Sequence, residues 1–228
     1  MTDEEQFEIF LDRAIHDLRA SARQIGTSAE IFSESVQTGS TEDGEPSLRR
    51  LREGIAGMSS ILTGMTSYAV TLSAANYTFR RVNLTTALSS AMARLRERIS
   101  LTNATVVDDD LPYVRGDADR LSEVFQHLIA NALTYRSDAA PRIEVRAVRD
   151  QDLWRITVRD NGIGFEPKYC EQVFAPFYRL HGPELPGVGL GLAVCRRILN
   201  AHRGTIWIES EKGSGSTCLL TLPADDDE

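Results

Sequence analysis

The chain has 228 residues and a mass of 25.3 kDa, enough for one large domain or two modest ones. Its 42% hydrophobic and 25% charged residues are typical of a folded globular protein and exclude a disordered or low-complexity chain. The net charge of −8 argues against a nucleic-acid partner, because phosphate backbones attract basic surfaces.

Two stretches near the N-terminus predict amphipathic helices, because apolar or small residues recur at alternating intervals of three and four. The first stretch runs from Phe7 to about Ser35, with its pattern at Leu11, Ala14, Leu18, Ser21, Ile25, Ser28 and Phe32. A turn-rich segment follows at residues 38–47, and Ser47 is the predicted N-cap of the second helix. The second pattern falls at Leu48, Leu51, Ile55, Met58, Leu62, Met65, Ala69 and Leu72.

These helices predict a hairpin, which we assign to a first domain of residues 1–78. Two antiparallel helices leave part of each apolar seam uncovered, and pairing two hairpins into a dimeric four-helix bundle would bury it. The alternative is a monomer in which the second domain, residues 79–228, folds back over the seam.

The second domain combines helical and strand patterns. These patterns fall at residues 84–99, 117–134 and 189–201 for helices, and at residues 142–148, 153–158, 204–209 and 217–222 for strands. Because the elements interleave without strict βαβ repetition, they predict an α/β sandwich with helices on one face of a mixed sheet. The whole chain is therefore predicted to be of the α+β class.

Two glycine clusters in the second domain are candidate ligand sites. The first, Asp160-Asn161-Gly162-Ile163-Gly164, follows a strand and offers close backbone approach and a carboxylate that accepts from an amino group; an ordinary turn is the alternative. The second, Gly187-Val188-Gly189-Leu190-Gly191, opens a helix whose amides can hold phosphate, unless its glycines only permit close packing. Without a preceding strand or a Walker lysine, this cluster fits neither a Rossmann fingerprint nor a P-loop.

Five motifs in a fixed order resemble the ATP-binding domain of sensor histidine kinases. They are HLIANALTYR with Asn131, DNGIGF, VFAPFYRLHG, GVGLGLAVCRRI and a glycine-rich turn, GSGST, that ends at Thr217. They correspond to the family's N, G1, F and G2 boxes and its final turn. Their sequences most resemble those of bacterial phytochrome-like kinases. The resemblance spans residues 80–222 and implies an ATP-binding fold of the histidine kinase type, with ATP and Mg²⁺ as cofactors.

The resemblance also implies that the hairpin dimerises and carries a phosphorylated histidine on its first helix. His16, in the segment IHDLR, is the candidate, and the heptad frame places it at position f, facing away from the seam and exposed. A neutral imidazole can attack phosphorus, and Asp17 matches the acidic residue that takes or orients its proton. An ordinary surface histidine and aspartate are the alternatives.

Further roles in the nucleotide site follow from the resemblance. Asp160 would accept a hydrogen bond from the adenine amino group, Gly162 and Gly164 would shape the adenine pocket, and Asn131 would hold Mg²⁺. The residues implied near the triphosphate are the lid glycines Gly187, Gly189 and Gly191, the phosphate-binding residues Arg179 and His181, and Thr217 of the final turn. Phe174 and Phe177 of the F box are expected to be packing residues.

Several residues depart from the family's pattern. His127 stands where the N box usually has another asparagine, and Thr134 stands where it usually has a phosphate-facing lysine, whose charge Arg136 or Arg179 can replace. Hydrolytic relatives have a glutamate at the position of His127, so this chain favours transfer to protein over hydrolysis. In the phosphoacceptor segment, Ser21 replaces a common proline.

The resemblance predicts a homodimer that passes its phosphoryl group from His16 to an aspartate of a response regulator. At Ala20 many members carry a threonine or asparagine that positions water, so we expect weak or no phosphatase activity towards the regulator. A sensor domain of a longer chain, or a separate protein, would supply the input. The alternatives are a degenerate adaptor that only relays phosphoryl groups, motivated by His127 and Thr134, and an anti-sigma-type serine/threonine kinase.

The sequence predicts a cytoplasmic location. No stretch approaches the ~20 consecutive apolar residues of a membrane helix, and the acidic start, MTDEEQ, is unlike a secretory signal, so we expect no membrane insertion. Three widely spaced cysteines, Cys170, Cys195 and Cys218, predict neither a disulfide framework nor a zinc site and are consistent with a reducing compartment.

Overall fold

A computed structural model describes residues 3–39, 44–71, 77–180 and 187–225, with side chains from Phe10 onward. It begins with an antiparallel pair of helices, α1 (Asp3–Thr38) and α2 (Gly44–Val70). Both predicted helices are confirmed. The second begins earlier than expected, so Ser47 is not its N-cap but lies in its first turn, where it is buried. Residues 40–43 and Leu72 lie outside the described residues.

The face of α2 that packs within the chain is displaced from its predicted apolar seam. Its buried residues recur at heptad spacing: Ser47, Gly54, Ile61 and Tyr68. At Gly54 a Cβ atom would lie 2.8 Å from Cγ1 of Ile25, so the small residue admits α1 at close range. Ile55 and Leu62 of the predicted seam are 48% and 51% exposed. The hairpin therefore leaves an apolar stripe of α2 in water.

The remaining elements form the second part of the chain. Its first half contains β1 (Arg80–Asn83), α3 (Leu84–Arg94), α4 (Arg96–Leu101), β2 (Thr105–Asp108), β3 (Tyr113–Gly116) and α5 (Ala118–Thr134). Its second half contains β4 (Arg142–Asp150), β5 (Leu153–Asp160), α6 (Gly191–Ala201), β6 (Thr205–Glu211) and β7 (Gly215–Pro223). The single helix predicted at residues 84–99 is divided at Leu95 into α3 and α4, and β1, β2 and β3 were not predicted.

The sheet is mixed, as predicted. Five strands run in the order β2-β4-β5-β7-β6, with β2 parallel to β4 and the other pairs antiparallel, while β1 and β3 form a separate antiparallel pair. The register aligns Val145 with Val158 and Ile156 with Leu220, so buried side chains share one face. Leu88 of α3, Ile129 of α5 and Ile198 of α6 join the same core, which places helices against that face.

The link between the two parts is fixed at the start of α5. Asp117 caps this helix by accepting from the Arg120 amide at 3.0 Å, and its other carboxylate oxygen accepts from the Thr78 amide at 2.7 Å. The Asp117 amide donates to Nε2 of buried His202 at 2.9 Å, and Nδ1 of His202 lies 2.7 Å from the Ile198 carbonyl. Thr78 is thus tied to both α5 and α6.

The start of α1 also contacts the second part of the chain. Phe10 stacks on Tyr68 with ring centroids 4.4 Å apart and packs against Phe177 at 5.2 Å. One turn later, Nη1 of Arg13 donates to the Pro176 carbonyl at 2.9 Å. None of the helices formed by the described residues combines the length and apolar character that crossing a membrane requires.

Candidate active site

A cavity of about 920 Å³ lies between α5, the two glycine clusters and the outer face of α2. The α2 wall comes closest at Gly64, where a Cβ atom would lie 2.7 Å from Leu190 Cδ1 and 3.3 Å from Val188 Cγ2. The wall is otherwise formed by small polar residues of α2: Ser59, Ser60, Thr63 and Ser67. The hairpin and the sheet domain thus share one cavity.

Asp160, at the end of β5, is held in place by backbone amides. Its Oδ1 accepts from Gly162 N at 2.8 Å and Ser216 N at 3.2 Å, which leaves Oδ2 for a ligand. Burial raises the pKa of Asp160 above its ordinary value, against the opposing effect of these two bonds. A carboxylate presented in this way selects a ligand that donates a hydrogen bond.

Of the predicted residues near Asp160, some line the cavity and others only support the residues that do. Gly164 lines the cavity with a φ of 55°, and a Cβ atom there would overlap the Glu211 carbonyl oxygen, so the position requires glycine. Gly162 and Thr217 do not line the cavity. Gly162 supports Asp160 through its amide, and Thr217 lies within β7, paired with β5 and β6. The neighbouring Ser216 lines the cavity and was not predicted as a site residue.

Asn131 lines the cavity from α5, and no described residue forms a hydrogen bond with its carboxamide. A carboxamide oxygen suits a hard cation such as Mg²⁺, which takes few protein ligands and completes its shell with water or phosphate oxygens. Among the described residues there is no cluster of three or more His, Cys, Asp or Glu that could hold a metal ion. Asn131 therefore fits a cation that arrives together with a phosphorylated ligand.

The glycine-rich cluster forms another part of the cavity lining and meets α5 at Gly191, where a Cβ atom would lie 3.2 Å from Nδ1 of His127. Gly187, Gly189 and Gly191 line it together with Arg179, and the Phe177 amide donates to the Gly189 carbonyl at 2.9 Å. This bond joins the F motif directly to the G2 motif. His181 lies outside the described residues. Phe174 is buried and, like Phe177, packs against other rings and side chains, as predicted.

A carboxylate that the sequence did not reveal lies in the α5 wall. Glu123 accepts from the Ser67 hydroxyl of α2 and, at 2.8 Å, from Nη1 of Arg120. His127 Nε2 lies 3.8 Å from Glu123 and has no hydrogen-bond partner among the described residues. Burial alone would raise the pKa of Glu123, but the interactions with His127, Ser67 and Arg120 lower it to about 2.

We expect Glu123 to make folding stability depend on acid pH. The folded pKa of about 2 lies below the ordinary 4.5, so the stabilisation is complete above pH 4.5 and is lost as the pH falls towards 2. In urea unfolding, the Glu123→Gln variant should lose about 3 kcal/mol at pH 7 and much less at pH 3. Glu209→Gln, at an exposed position, is the control, and an equal loss at both pH values would contradict the prediction.

Two arginine side chains reach the cavity from α3 and α4, helices that carry none of the sequence motifs. Arg98 of α4 donates through Nη2 to Thr134 Oγ1 at 2.9 Å and to the Ala130 carbonyl at 3.4 Å. Arg94 of α3 also lines the cavity, whereas Arg136, which the sequence offered as a substitute cation, donates to the Leu133 carbonyl outside the lining. For the absent N-box lysine the sequence offered Arg136 or Arg179 as substitutes; Arg179 lines the cavity, and Arg98 and Arg94 were not predicted.

His16 and Asp17 lie on α1 and do not line the cavity. The His16 side chain is 77% exposed, as the heptad position predicted, and its Nδ1 lies 3.1 Å from Asp17 Oδ1. This geometry leaves Nε2 of the imidazole facing solvent. His16 follows Arg13 by one helical turn, and Arg13 bonds the segment that leads into the glycine-rich wall.

Comparisons with known proteins agree with this arrangement. A family model described as "Histidine kinase-, DNA gyrase B-, and HSP90-like ATPase" matches residues 116–226. Cyanobacterial phytochrome A of Nostoc sp. is 36% identical over 211 residues, covering 92% of this chain and 28% of that protein. The methanogenesis regulatory histidine kinase FilI of Methanothrix harundinacea is 42% identical over 139 residues, covering 60% of this chain and 15% of that protein.

Solved structures share the fold. Histidine kinase ThkA, in a crystal structure with response regulator protein TrrA, aligns with a TM-score of 0.76 at 21% identity, over 97% of this chain and 64% of that chain. A nucleotide-free catalytic domain of ThkA aligns with a TM-score of 0.54 at 23% identity, over 64% of this chain and 97% of that chain. The chain spans less than a third of the length of the curated relatives described above.

Proposed function

We propose that the chain is the kinase core of a two-component system, because residues 116–226 match the family model of histidine kinase-, DNA gyrase B-, and HSP90-like ATPases. It transfers the γ-phosphoryl group of ATP to His16 and then to an aspartate of a response regulator. The observation that carries the proposal is one cavity that presents the Asp160 carboxylate, the Asn131 carboxamide and the glycine-rich wall together. The same chain carries an exposed histidine on α1.

ATP fits the cavity by the chemistry of its lining. The available oxygen of Asp160 accepts from the adenine amino group, which favours adenine over guanine. Asn131 would hold Mg²⁺, which would offset the negative charge of the phosphates during transfer. Arg179 and the amides of the glycine-rich wall face the phosphates, with Gly187, Gly189 and Gly191 allowing close approach. The same assignment extends to His181 from the sequence motif alone.

The transfer uses the geometry at His16. The lone pair of Nε2 forms the bond to the γ-phosphorus as the bond to the bridging oxygen breaks and ADP departs. The proton on Nδ1 moves to, or is held by, the Asp17 carboxylate 3.1 Å away, which offsets the positive charge that develops on the ring. Asp17 therefore acts as the proton acceptor in the first step.

The partners follow from the surfaces of the hairpin. In a homodimer, the exposed Ile55 and Leu62 of α2 are buried in a four-helix bundle with the second copy. The regulator docks on the α1 and α2 surface around His16, and the solved ThkA structure contains a response regulator protein. We assign residues 1–78 to the dimerisation domain and residues 79–228 to the ATP-binding domain, in a cytoplasmic protein that receives its input from a sensor domain or protein.

Incubation with γ-labelled ATP and Mg²⁺ tests this proposal. We expect acid-labile, alkali-stable label on the chain, followed by loss of that label to an added receiver domain. The competing function is a phosphotransfer adaptor without efficient ATP chemistry, which the unpartnered His127 Nε2 and Thr134 favour. Nucleotide binding without any label would support the adaptor and contradict the kinase.

The chain should also have little phosphatase activity towards its regulator. Ala20 lies one helical turn after His16 and is exposed, and its methyl group cannot orient a water molecule for attack on an aspartyl phosphate. Ala20→Thr should accelerate regulator dephosphorylation at least about tenfold, because the hydroxyl positions that water. Ala93→Thr, an exposed change on α3, is the control, and rapid dephosphorylation by the unmodified chain would contradict the prediction.

A further inference from the structure

Part of the positive charge of the cavity comes from helices that carry none of the sequence motifs, in addition to Arg120 and Arg179. Both lysines of the sequence, Lys168 and Lys212, lie outside the lining. Arg94 and Arg98, on consecutive helices before α5 in the chain, reach the lining beside the last turn of α5. A nucleoside triphosphate carries several negative charges, and guanidinium groups in the lining can form charge-assisted hydrogen bonds with its phosphates.

Arg98 is the better placed of the two. Its Nη2 group donates to Thr134 Oγ1 at 2.9 Å and to the Ala130 carbonyl, which holds the guanidinium against the turn of α5 that follows Asn131. Both hydrogen bonds of the Arg98 side chain to described residues use Nη2, so Nε and Nη1 remain for a ligand. Arg94 is instead engaged with Gln126 Oε1 at 3.3 Å.

The surroundings of Arg98 concentrate positive charge. Partial burial and the nearby Arg136 guanidinium lower the pKa of Arg98. Among the described residues, its side chain bonds only a hydroxyl and a carbonyl, and no carboxylate. An anion placed here would relieve the repulsion between the two arginines as well as accept hydrogen bonds.

We propose that Arg98 binds the phosphate chain of the nucleotide and replaces, from α4, the cation that Thr134 does not supply. This inference rests on the proposed function, since it assumes that the cavity holds ATP. The Thr134 hydroxyl then has a role of its own: it positions the Arg98 side chain. Arg98 is thus a substrate-binding residue, and Thr134 is a positioning residue.

Calorimetric titration of the full chain with ATP, ADP and adenosine tests the proposal. Arg98→Ala should weaken ATP and ADP binding at least about tenfold, or about 1.4 kcal/mol, and leave adenosine binding unchanged. Arg98→Lys should retain part of the affinity, because the charge survives without the planar fork. Arg96→Ala, an exposed change on the same helix outside the lining, is the control and should bind all three ligands normally.

A second variant separates charge from structural support. Adding Thr134→Lys to Arg98→Ala returns a cation to the last turn of α5 and should restore most of the lost ATP affinity. If Arg98→Ala binds ATP as tightly as the unmodified chain, or weakens adenosine equally, the role of Arg98 is refuted while the proposed function stands. If the unmodified chain binds no adenine nucleotide, both are refuted.

Discussion

Replacing His16 by alanine should abolish the acid-labile label acquired from γ-labelled ATP and leave ATP affinity unchanged. The imidazole is the nucleophile, and no other group on this face of α1 can form the same phosphoramidate. Because His16 lies outside the cavity and is 77% exposed, its removal disturbs neither nucleotide contacts nor the core. A label below about 1% of the unmodified level is the expected result, consistent with loss of covalent catalysis.

Asp17 provides a graded test of the same step. Asp17→Asn removes the proton acceptor but keeps the side-chain volume, so the labelling rate should fall about 10²-fold or more while ATP affinity stays constant. Arg19→Ala, an exposed change on α1, is the control and should label normally. If the His16→Ala variant still acquired acid-labile label, His16 would not be the phosphoacceptor. Peptide mapping would then identify which of His127, His181 or His202 carries the label.

Asp160→Asn should weaken adenine nucleotide binding about 100-fold, as expected for a hydrogen bond to a charged group with no replacement partner. The amide oxygen still accepts from Gly162 N and Ser216 N, so the turn is preserved. The new NH₂ group would face the adenine amino group, and because both groups are hydrogen-bond donors, no hydrogen bond can form between them. Titration with ADP measures the effect directly, independent of phosphoryl transfer.

The matched control for this change lies on the same sheet. Asp150→Asn removes a carboxylate that pairs with Arg155 outside the cavity, so it should bind nucleotide like the unmodified chain. Both variants should melt within a few degrees of the unmodified protein, because neither change removes buried apolar surface. Equal ADP affinity in Asp160→Asn and the unmodified chain would show that this carboxylate does not recognise adenine.

The sequence predicted the long periodic elements and missed the short ones. Helices α1, α2, α5 and α6 show repeated apolar positions, and strands β4 through β7 are each seven to nine residues long, so local patterns sufficed. By contrast, β1, β2 and β3 have four residues each, too few for a pattern, and they pair with strands distant in sequence. The packing face of α2 also depended on a distant partner, since Gly54 admits Ile25.

The same division applies to the candidate site. Asp160, Asn131 and the glycines lie in contiguous motifs, which a single sequence displays. Arg98 and Thr134 are 36 positions apart, and Ser67 and Glu123 are 56 apart, so these pairs exist only after α4 and α2 have packed against α5. No local pattern contains that information, because the pairs are made by tertiary contacts.

The wall at Gly64 belongs both to the hairpin and to the cavity. A ligand that contacted this wall would bind with an affinity that depends on whether α2 is docked against Val188 and Leu190. Linkage is reciprocal: if undocking α2 changes ATP affinity by some factor, ATP changes the docking equilibrium by that same factor. Displacing α2 would then change the affinity of the site for its ligand, and binding of the ligand would in turn change how firmly α2 is docked.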